Sequence, residues 1–246
     1  MAAQFFQPTT AEGRSAYNLE DQERMTRAKN YFAWQGRLVL RELARRVVEV
    51  GCGVGNFTRL LLDREAVVGV DIDPGCIRQL IARYGNHANL HAFTCDVASP
   101  QFAALGRFRP DSCVCLNVLE HVADDRMALD QMASILVPGG TIALMVPAFP
   151  ALYGPIDRNL GHHRRYTRGG LARLGEAAGL RLVQARYMNA IGWFGWWANA
   201  HVLRRQAQSE RQIAIFDRWV VPAAARLEDA ARPPFGQSLV AVLRKP

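Results

Sequence analysis

Two spacings of apolar residues follow each other along the middle of the chain. Short runs of consecutive apolar residues are typical of strands buried on both faces, and repeats every three or four positions are typical of amphipathic helices. Five strands are predicted, at 46–50, 66–71, 89–94, 112–116 and 141–146. Helices are predicted between them, at about 56–64, 74–84 and 125–136. This alternation with short connections predicts a doubly wound parallel sheet of the α/β class.

The pattern changes on both sides of this core. Residues 1–12 are predicted to be a loose leader, and residues 13–45 to form one or two helices. After the core we expect a polar loop, a helix, a strand, an aromatic-rich helical stretch and a last strand, at 148–167, 168–178, 181–188, 190–232 and 238–243. A single domain is therefore predicted, in four parts: N-terminal leader and helices (1–45), core (46–189), helical cap insertion (190–236) and last core strand (237–246).

Length and composition agree with a folded globular protein. The chain has 246 residues, of which 50% are hydrophobic and 21% charged. These values exclude global disorder, a collagen and a small disulfide scaffold. No apolar run reaches the roughly 18 residues of a membrane span, and the first residues lack the basic and apolar regions of a signal peptide. A cytoplasmic location is therefore predicted.

The five cysteines carry no metal or redox signature. No two of them have the C-x-x-C spacing. We interpret all five as core thiols and expect no metal site.

The basic excess of the chain is confined to its C-terminal part. The net charge is +8, yet residues 151–246 hold 15 basic and 6 acidic side chains. Only two of the 30 basic residues are lysines, and arginine is the better fork for a carboxylate or a phosphate. An anionic substrate, an acidic partner or a membrane surface would explain this asymmetry.

A glycine-rich turn follows the first predicted strand. Residues 49–56 read E-V-G-C-G-V-G-N, and glycines in this place let the backbone turn tightly against a ligand. Asp71 ends the next strand, where an acid hydrogen-bonds the diol of a ribose. Glu49 suits a cationic group or an amino group better than a pyrophosphate. The turn therefore predicts a nucleoside site.

Five motifs in residues 45–150 together resemble class I, Rossmann-like S-adenosylmethionine-dependent methyltransferases of the small-molecule branch. The motifs are 49–56, G-V-D-I-D at 69–73, C-D-V at 95–97, L-N-V-L-E-H-V at 116–122 and L-V-P-G-G at 136–140. The resemblance implies a seven-stranded sheet of order 3-2-1-4-5-7-6 with the last strand antiparallel. About 50 residues replace the usual hairpin between the last two strands, which suggests a substrate cap.

The resemblance also implies S-adenosylmethionine as cofactor and gives each motif a part of it. Asp71 would meet the ribose and Asp96 the adenine amine, and the motif of Asn117 would line the methionine side. The cofactor set is Glu49, Gly51, Cys52, Gly53, Gly55, Asn56, Asp71, Ile72, Asp96, Val97, Asn117 and His121. Tyr31 and Trp34 either close over the cofactor or pack an amphipathic helix.

The loop at 153–167 is the best candidate for the acceptor side. It follows the fifth strand, so it should emerge at the edge of the sheet where ligands bind. The predicted catalytic residues are His162, as general base or orienter, together with Asp157 and Tyr166. The predicted substrate residues of this loop are Tyr153, Arg158, His163, Arg164 and Arg165. Alternatively, Asp157 and the arginines form a salt-bridge cluster that only holds the loop.

A tryptophan-rich segment at 191–197 is apolar around the whole helix and must be buried against something. Trp193 and Trp197 are predicted to contact substrate. An apolar acceptor pocket, a homodimer interface, a peripheral membrane contact or packing within the cap would each bury it. Arg204 and Arg205 follow it and favour a lipid or lipid-linked partner.

The predicted function is methyl transfer to an oxygen or nitrogen of a small acceptor, which is either anionic or lipid-like. A nucleic-acid methyltransferase is an alternative, prompted by the basic C-terminal part. It is disfavoured because residues 117–120 read N-V-L-E instead of the Pro-Pro-aromatic motif of base-amine enzymes, and no Pro-Cys occurs. A non-catalytic cofactor-binding subunit is another alternative. The glycine spacing disfavours an NAD dehydrogenase.

Overall fold

The computed structural model describes residues 22–23, 25–203 and 210–246. The predicted leader at 1–12, the start of the predicted helical segment at 13–21, and Arg204 and Arg205 lie outside these residues.

One seven-stranded sheet forms the centre of the molecule. Its strands are β1 Arg46–Val50, β2 Ala66–Asp71, β3 Leu90–Thr94, β4 Ser112–Leu116, β5 Thr141–Pro147, β6 Arg181–Met188 and β7 Ser238–Arg244. Their order is β3-β2-β1-β4-β5-β7-β6. The pairs among β1–β5 are parallel, whereas β7 runs antiparallel to both β5 and β6. The predicted fold, strand order and antiparallel last strand are confirmed.

Helices cover the sheet and fill the segment between β6 and β7. The α-helices are α1 Lys29–Val39, α2 Pro74–Tyr84, α3 Asp125–Ile135, α4 Pro155–Asn159, α5 Arg168–Ala177, α6 Ala190–Ala198, α7 Glu210–Ile215 and α8 Val221–Ala230. Two π-helical turns are Asn199–Leu203 and Phe216–Val220. Short 3-10 helices are Leu40–Glu42, Thr58–Leu60, Pro100–Phe108, Leu119–His121 and Pro150–Leu152. Within the described ranges, every helix is too short or too polar to cross a membrane.

Strand side chains alternate between two apolar layers, one on each face of the sheet. In β4, Cys113 and Cys115 belong to one buried cluster and Val114 to the other. All five cysteines are buried and free, which confirms their interpretation as core thiols. The central strands are apolar on both faces because helices cover both.

The helix predicted at about 56–64 is wrong. The structure has a 3-10 turn there, with backbone hydrogen bonds from Leu60 to Phe57 and from Leu61 to Thr58. Thr58 is fully buried, and its hydroxyl donates to Glu49 at 2.6 Å. A side-chain bond of this kind competes with regular helix geometry, so the apolar periodicity of the segment is met by successive tight turns.

The cap is tied to α1 by one buried carboxylate. Asp217, in the second π-helical turn, accepts hydrogen bonds from the backbone N–H of Tyr31 at 2.8 Å and of Asn30 at 3.2 Å. It thereby satisfies N–H groups in the first turn of a helix whose own N-cap residue supplies no side-chain bond. On the same helix Trp34 is fully buried in the core, which matches packing rather than closure over the cofactor.

Replacing this capping acid should loosen the cap. We expect Asp217→Ala to lower the free energy of unfolding by about 1–2 kcal/mol, as for a lost N-cap. That loss corresponds to a melting temperature roughly 2–8 °C lower for a chain of this size. Asp130→Ala is the matched control, because Asp130 forms only an exposed pair with Arg126 and should cost under about 0.5 kcal/mol. Equal melting temperatures for the two variants in a calorimetric scan would contradict this role.

Candidate active site

The parallel strands β1–β4 bring their carboxyl ends to one edge of the sheet, and a cavity of about 1900 Å³ opens there. Residues of α1 line one side of it, and cap residues between 189 and 221 line another. Ligands of open α/β sheets bind at this edge, where the strand order reverses. The cavity therefore lies where the sequence predicts both ligands.

The glycine turn after β1 forms the floor of one half of the cavity. Gly51 has a φ of 74°, and a Cβ on it would collide with Val118. Only glycine allows the backbone to pass so close to the segment after β4. Of the predicted turn residues, Gly51, Cys52 and Asn56 line the cavity, whereas Gly53 and Gly55 shape the turn behind it.

Asp71 sits at the end of β2 with its carboxylate held by the backbone. One oxygen accepts from the N–H of Gly53 and the other from that of Asp73, both at 2.9 Å. Burial raises the pKa of Asp71, and these two N–H groups act against that rise. The carboxylate lines the cavity and keeps further lone pairs to accept hydroxyl donors.

The other predicted nucleoside residues lie around the same half. Asp96 accepts from the N–H of Ala98 at 2.8 Å, which orients its carboxylate. The cavity lining also includes Ile72, Val97, Asn117 and His121. Asn117 has a φ of 55°, a conformation that costs energy in a residue with a side chain and that clusters at functional sites.

Glu49 is a buried acid at the end of β1. It is 4% exposed, and one of its oxygens accepts from the Thr58 hydroxyl at 2.6 Å. Burial raises the pKa of Glu49 to about 8, although the Thr58 hydrogen bond opposes the rise. A cation bound beside such a carboxyl group would favour its charged form and so offset the effect of burial.

Asp157 lies behind the opposite wall, outside the cavity lining, and bonds three residues that belong to the lining. Its side chain is fully buried and accepts from His162 Nδ1 at 2.9 Å and from the Arg165 guanidinium at 2.8 Å. It also accepts from the N–H of Gly154 at 2.9 Å and from Trp196 Nε1 at 3.2 Å. Burial alone raises the pKa of Asp157, but His162 and Arg165 outweigh burial, so the pKa is lowered and the group is a carboxylate.

His162 lies between this carboxylate and the cavity. Its backbone N–H donates to the Asp157 carbonyl, and its own carbonyl accepts from the Tyr153 hydroxyl at 2.7 Å. Its ring packs edge-on against that of His121, with centroids 4.7 Å apart. Burial, followed by the neighbouring His162 and His163, lowers the pKa of His121 to about 4. His121 is therefore a neutral imidazole.

The remaining predicted acceptor residues lie outside the cavity or are engaged elsewhere. Arg165 lines the cavity, but its charge is paired with Asp157 and its guanidinium covers the Trp196 ring at 4.9 Å. Arg164 donates to two backbone carbonyls and pairs with Asp125 at 3.1 Å. These contacts are the ones expected from the alternative prediction, in which Asp157 and the arginines form a salt-bridge cluster that holds the loop.

Tyr166 and five other predicted residues are also placed away from the cavity. The Tyr166 hydroxyl is buried and donates to Asp125 at 2.9 Å, so the structure does not bring it to the acceptor. The lining lacks Tyr153, Arg158, His163, Trp193 and Trp197. Trp193 packs on Phe149 and Phe235.

Two residues at the site were missed by the sequence predictions. Trp196 lines the cavity and bonds Asp157, but one tryptophan among three on an apolar helix gives no signal of its direction. Glu120 lines the cavity at 1% exposure, and burial raises its pKa to about 8. It lies in the L-N-V-L-E-H-V motif, four residues after β4. A charged residue shortly after an apolar strand is the feature of the sequence that could have indicated a site residue here.

Comparison with known sequences identifies the family. Residues 17–185 match a family model described as "Methyltransferase domain". The chain belongs to this methyltransferase family. The prediction of a class I S-adenosylmethionine-dependent methyltransferase is thereby confirmed, and with it the cofactor.

Individual relatives of this methyltransferase are distant. An uncharacterized methyltransferase of Mycobacterium tuberculosis is 32% identical over 107 residues, 43% of this chain and 52% of that protein. The ubiquinone biosynthesis O-methyltransferase of Aeromonas salmonicida is 26% identical over 153 residues, 55% of this chain and 63% of that protein. The chain thus spans about half the length of the first relative and under two-thirds of the second.

A solved structure shares the fold of this methyltransferase. The N-methyltransferase NodS of Bradyrhizobium japonicum, solved with S-adenosyl-L-homocysteine, superposes with a TM-score of 0.55. The match covers 96% of this chain and 94% of that chain at 16% identity.

The residues of this methyltransferase fit its cofactor. When bound, S-adenosylmethionine supplies a methyl group on a positively charged sulfur. Asp71 would hold the ribose hydroxyls and Asp96 the adenine amine. Glu49, a buried acid with a raised pKa and no cation bound to it among the described residues, would meet the cationic amino acid end. The donor set therefore matches a nucleoside with positive charge at one end.

Removing the ribose contact should weaken cofactor binding. We expect Asp71→Asn to raise the Kd for S-adenosylmethionine by roughly 5–150-fold, about 1–3 kcal/mol, because hydroxyl donors lose a charged acceptor. Isothermal calorimetry measures this change, with Asp63→Asn as control because Asp63 is an exposed acid outside the cavity lining. An unchanged Kd in the Asp71 variant would remove this residue from the cofactor site.

Cofactor binding should also release a proton from Glu49. At pH 7 its carboxyl is mostly protonated because its pKa is about 8, and a cation beside it favours the carboxylate. We expect release of up to about one proton near pH 7 and little above roughly pH 9, where the group is already ionised. Calorimetry in buffers of different ionisation heat measures the release. Glu49→Gln should abolish it, and a buffer-independent heat for the wild type at pH 7 would contradict the assignment.

Proposed function

We propose that this protein transfers the methyl group of S-adenosylmethionine to an oxygen or nitrogen of a small, lipid-like acceptor. The observation that carries the proposal is the arrangement of the cavity. Glu49 and Asp71 lie in one part of its lining, and His162, oriented by Asp157, lies in another. A cofactor site and a proton-accepting group therefore share one enclosure.

His162 is proposed as the group that receives the acceptor proton or orients the acceptor. Its Nδ1 is bonded to the Asp157 carboxylate, so Nδ1 carries the proton and Nε2 is left to accept one. A base is needed when the nucleophile is protonated at pH 7, as a hydroxyl or an ammonium is. The remaining work of the residues is positioning and exclusion of water.

The volume and the apolar walls of the cavity support an acceptor with an apolar body. Small-molecule sites usually occupy about 300–1,000 Å³, so a cavity of about 1900 Å³ has room beside the cofactor. The cap lines it with large apolar side chains, among them Ile191, Trp196, Leu203, Ile213 and Phe216.

The arginines of the acceptor loop give an anionic acceptor less support. Arg165 is paired with a buried carboxylate, and Arg164 with Asp125 and two carbonyls. A charge already paired in this way has fewer donors left for a second anion. Of the two predicted acceptor types, the structure thus supports the lipid-like one more.

The outer surface of the cap supports contact with an apolar or membrane partner. Large apolar side chains outside the cavity lining are exposed there, namely Phe194, Trp197, Val202 and Trp219. Such a cluster marks an interaction surface, and the basic excess of residues 151–246 favours an anionic membrane. A second copy of the chain is the alternative occupant. A cytoplasmic location stays a prediction from composition.

Loss of the imidazole should stop turnover and spare the cofactor. We expect His162→Gln to lower methyl transfer by roughly 10²–10⁴-fold and to leave the Kd for S-adenosylmethionine unchanged. The assay supplies methyl-labelled cofactor with a lipid extract, an aqueous small-molecule extract and total RNA, and counts label in each. His91→Gln is the control, since His91 is exposed on the edge strand β3 outside the cavity lining.

Two results would contradict the proposal. Label in RNA alone would establish the nucleic-acid alternative. Cofactor binding without transfer to any of the three pools would favour a non-catalytic cofactor-binding subunit.

A further inference from the structure

We propose that Glu120, His121 and His162 form a binding site for a divalent transition-metal ion in the wall of the cavity. The sequence predictions contain no metal site, because these residues come from two loops that are about 40 positions apart in the chain. The fold brings them together at the end of β4 and at the acceptor loop.

The three side chains present ligand atoms to one point. One atom from each residue lies within 4.8 Å of the other two. Ligands around a zinc-sized ion are bound at about 2.0–2.2 Å, so the three side chains must rotate toward one another to close the site around an ion. The rings of His121 and His162 already lie side by side, with centroids 4.7 Å apart.

The carboxyl group of Glu120 gives an independent indication of a missing partner. The residue is 1% exposed, and its Oε2 atom has no hydrogen-bond partner among the described residues. A buried acceptor without a partner costs about 1–3 kcal/mol and is rare in folded proteins. A cation bound at this atom would satisfy it.

The surroundings of His162 are those of a metal ligand. Its Nδ1 is held by the Asp157 carboxylate at 2.9 Å, which fixes the ring and leaves Nε2 for the ion. Ligating histidines almost always have such a partner on the other nitrogen. Arg165 is paired with Asp157, so among these acids the carboxyl group of Glu120 is the one available to ligate the cation.

The donor set selects the kind of ion. Two imidazoles and one carboxylate suit zinc, iron(II), cobalt(II) or nickel(II), whereas magnesium and calcium prefer sites made of oxygen. Three protein ligands also leave coordination positions open, as in catalytic metal sites. Those positions face the cavity, because all three residues line it.

An open position beside the cofactor has a consequence for the acceptor, and this consequence rests on the proposed function. A bound cation lowers the pKa of a hydroxyl that coordinates it. The acceptor then loses its proton to solvent water, and of the two roles proposed for His162 the ion leaves the second, that of orienting the acceptor. The metal site therefore favours an oxygen acceptor over an ammonium, which has no lone pair to coordinate.

Cobalt(II) tests the site directly, because its visible absorption reports coordination by imidazole. The full-length chain, stripped with chelator, is titrated with Co²⁺ alone. We expect one bound equivalent that zinc displaces. His121→Gln and His162→Gln should each weaken Co²⁺ binding at least tenfold, and Asp157→Asn roughly 10–100-fold as an outer partner. His91→Gln should bind as the wild type does.

The design separates the metal site from the proposed function. Absence of a bound equivalent, or equal affinity in the wild type and both histidine variants, would overturn the site. Glu120→Gln adds a third variant, and circular dichroism confirms that each variant is folded. Cofactor binding and methyl transfer are measured in parallel with chelator. If methyl transfer is complete without metal and no Co²⁺ binds, the metal site is overturned and the proposed function stands. If Co²⁺ binds but no methyl group reaches any of the three pools, the proposed function is overturned and the metal site stands.

Discussion

The acceptor side of the cavity depends on one buried charge, the carboxylate of Asp157. A carboxylate removed from water costs several kcal/mol unless it is paired and hydrogen-bonded. Here it accepts from an imidazole, a guanidinium, an indole and a backbone N–H. These donors come from the acceptor loop and the cap helix α6, and Asp157 itself lies in α4, so satisfying one charge sets the position of all three. The orientation of His162 follows from the same requirement.

The cap completes the cavity without disturbing the sheet. About 50 residues leave the sheet after β6 and return as β7, yet these two strands pair along their length with one irregularity between Leu182 and Gln184. The cap is held from the other side by Asp217, which caps α1. The predicted cofactor half of the cavity thus lies on the sheet and its turns, and the predicted acceptor half on the loop and the cap.

The predicted cofactor residues could be chosen from the sequence because each lies at or shortly after the carboxyl end of a strand that the apolar pattern predicts. Glu49 lies near the end of β1 and Asp71 at the end of β2, and the glycines at 51, 53 and 55 belong to the turn after β1. Because β1 and β2 are parallel neighbours, their ends meet at the same edge of the sheet. The acceptor half was less readable. Arg164 and Arg165 are neighbours in sequence but point to different carboxylates, Asp125 and Asp157. Trp196 contacts the site whereas Trp193 and Trp197 do not, because a helix apolar on every side carries no mark of its inward face.

The prediction of a helix at 56–64 was wrong for a similar reason, because a contact with another part of the chain is not visible in the local pattern. Thr58 and Glu49 are nine positions apart, and their bond joins the turn to β1. Glu49 fits the apolar run that predicts β1, and Thr58 fits the apolar spacing that predicts a helix at 56–64, so neither residue indicates the bond between them. The spacing of apolar residues therefore does not predict hydrogen bonds between polar side chains that are distant in the sequence, such as the bond in this turn and those around Asp157.

The place of β7 also governs how the molecule is assembled during synthesis. This strand, at 238–244, lies between β5 and β6, so those two strands cannot meet without it. A nascent chain leaving the ribosome would carry β1–β5 already able to pair, with the edge of β5 open and β6 without a neighbour until β7 emerges. Open strand edges are templates for aggregation, and pairing across about 97 residues is slow. The interval in which the edge of β5 stays open to misassembly is therefore at least the time taken to translate the cap.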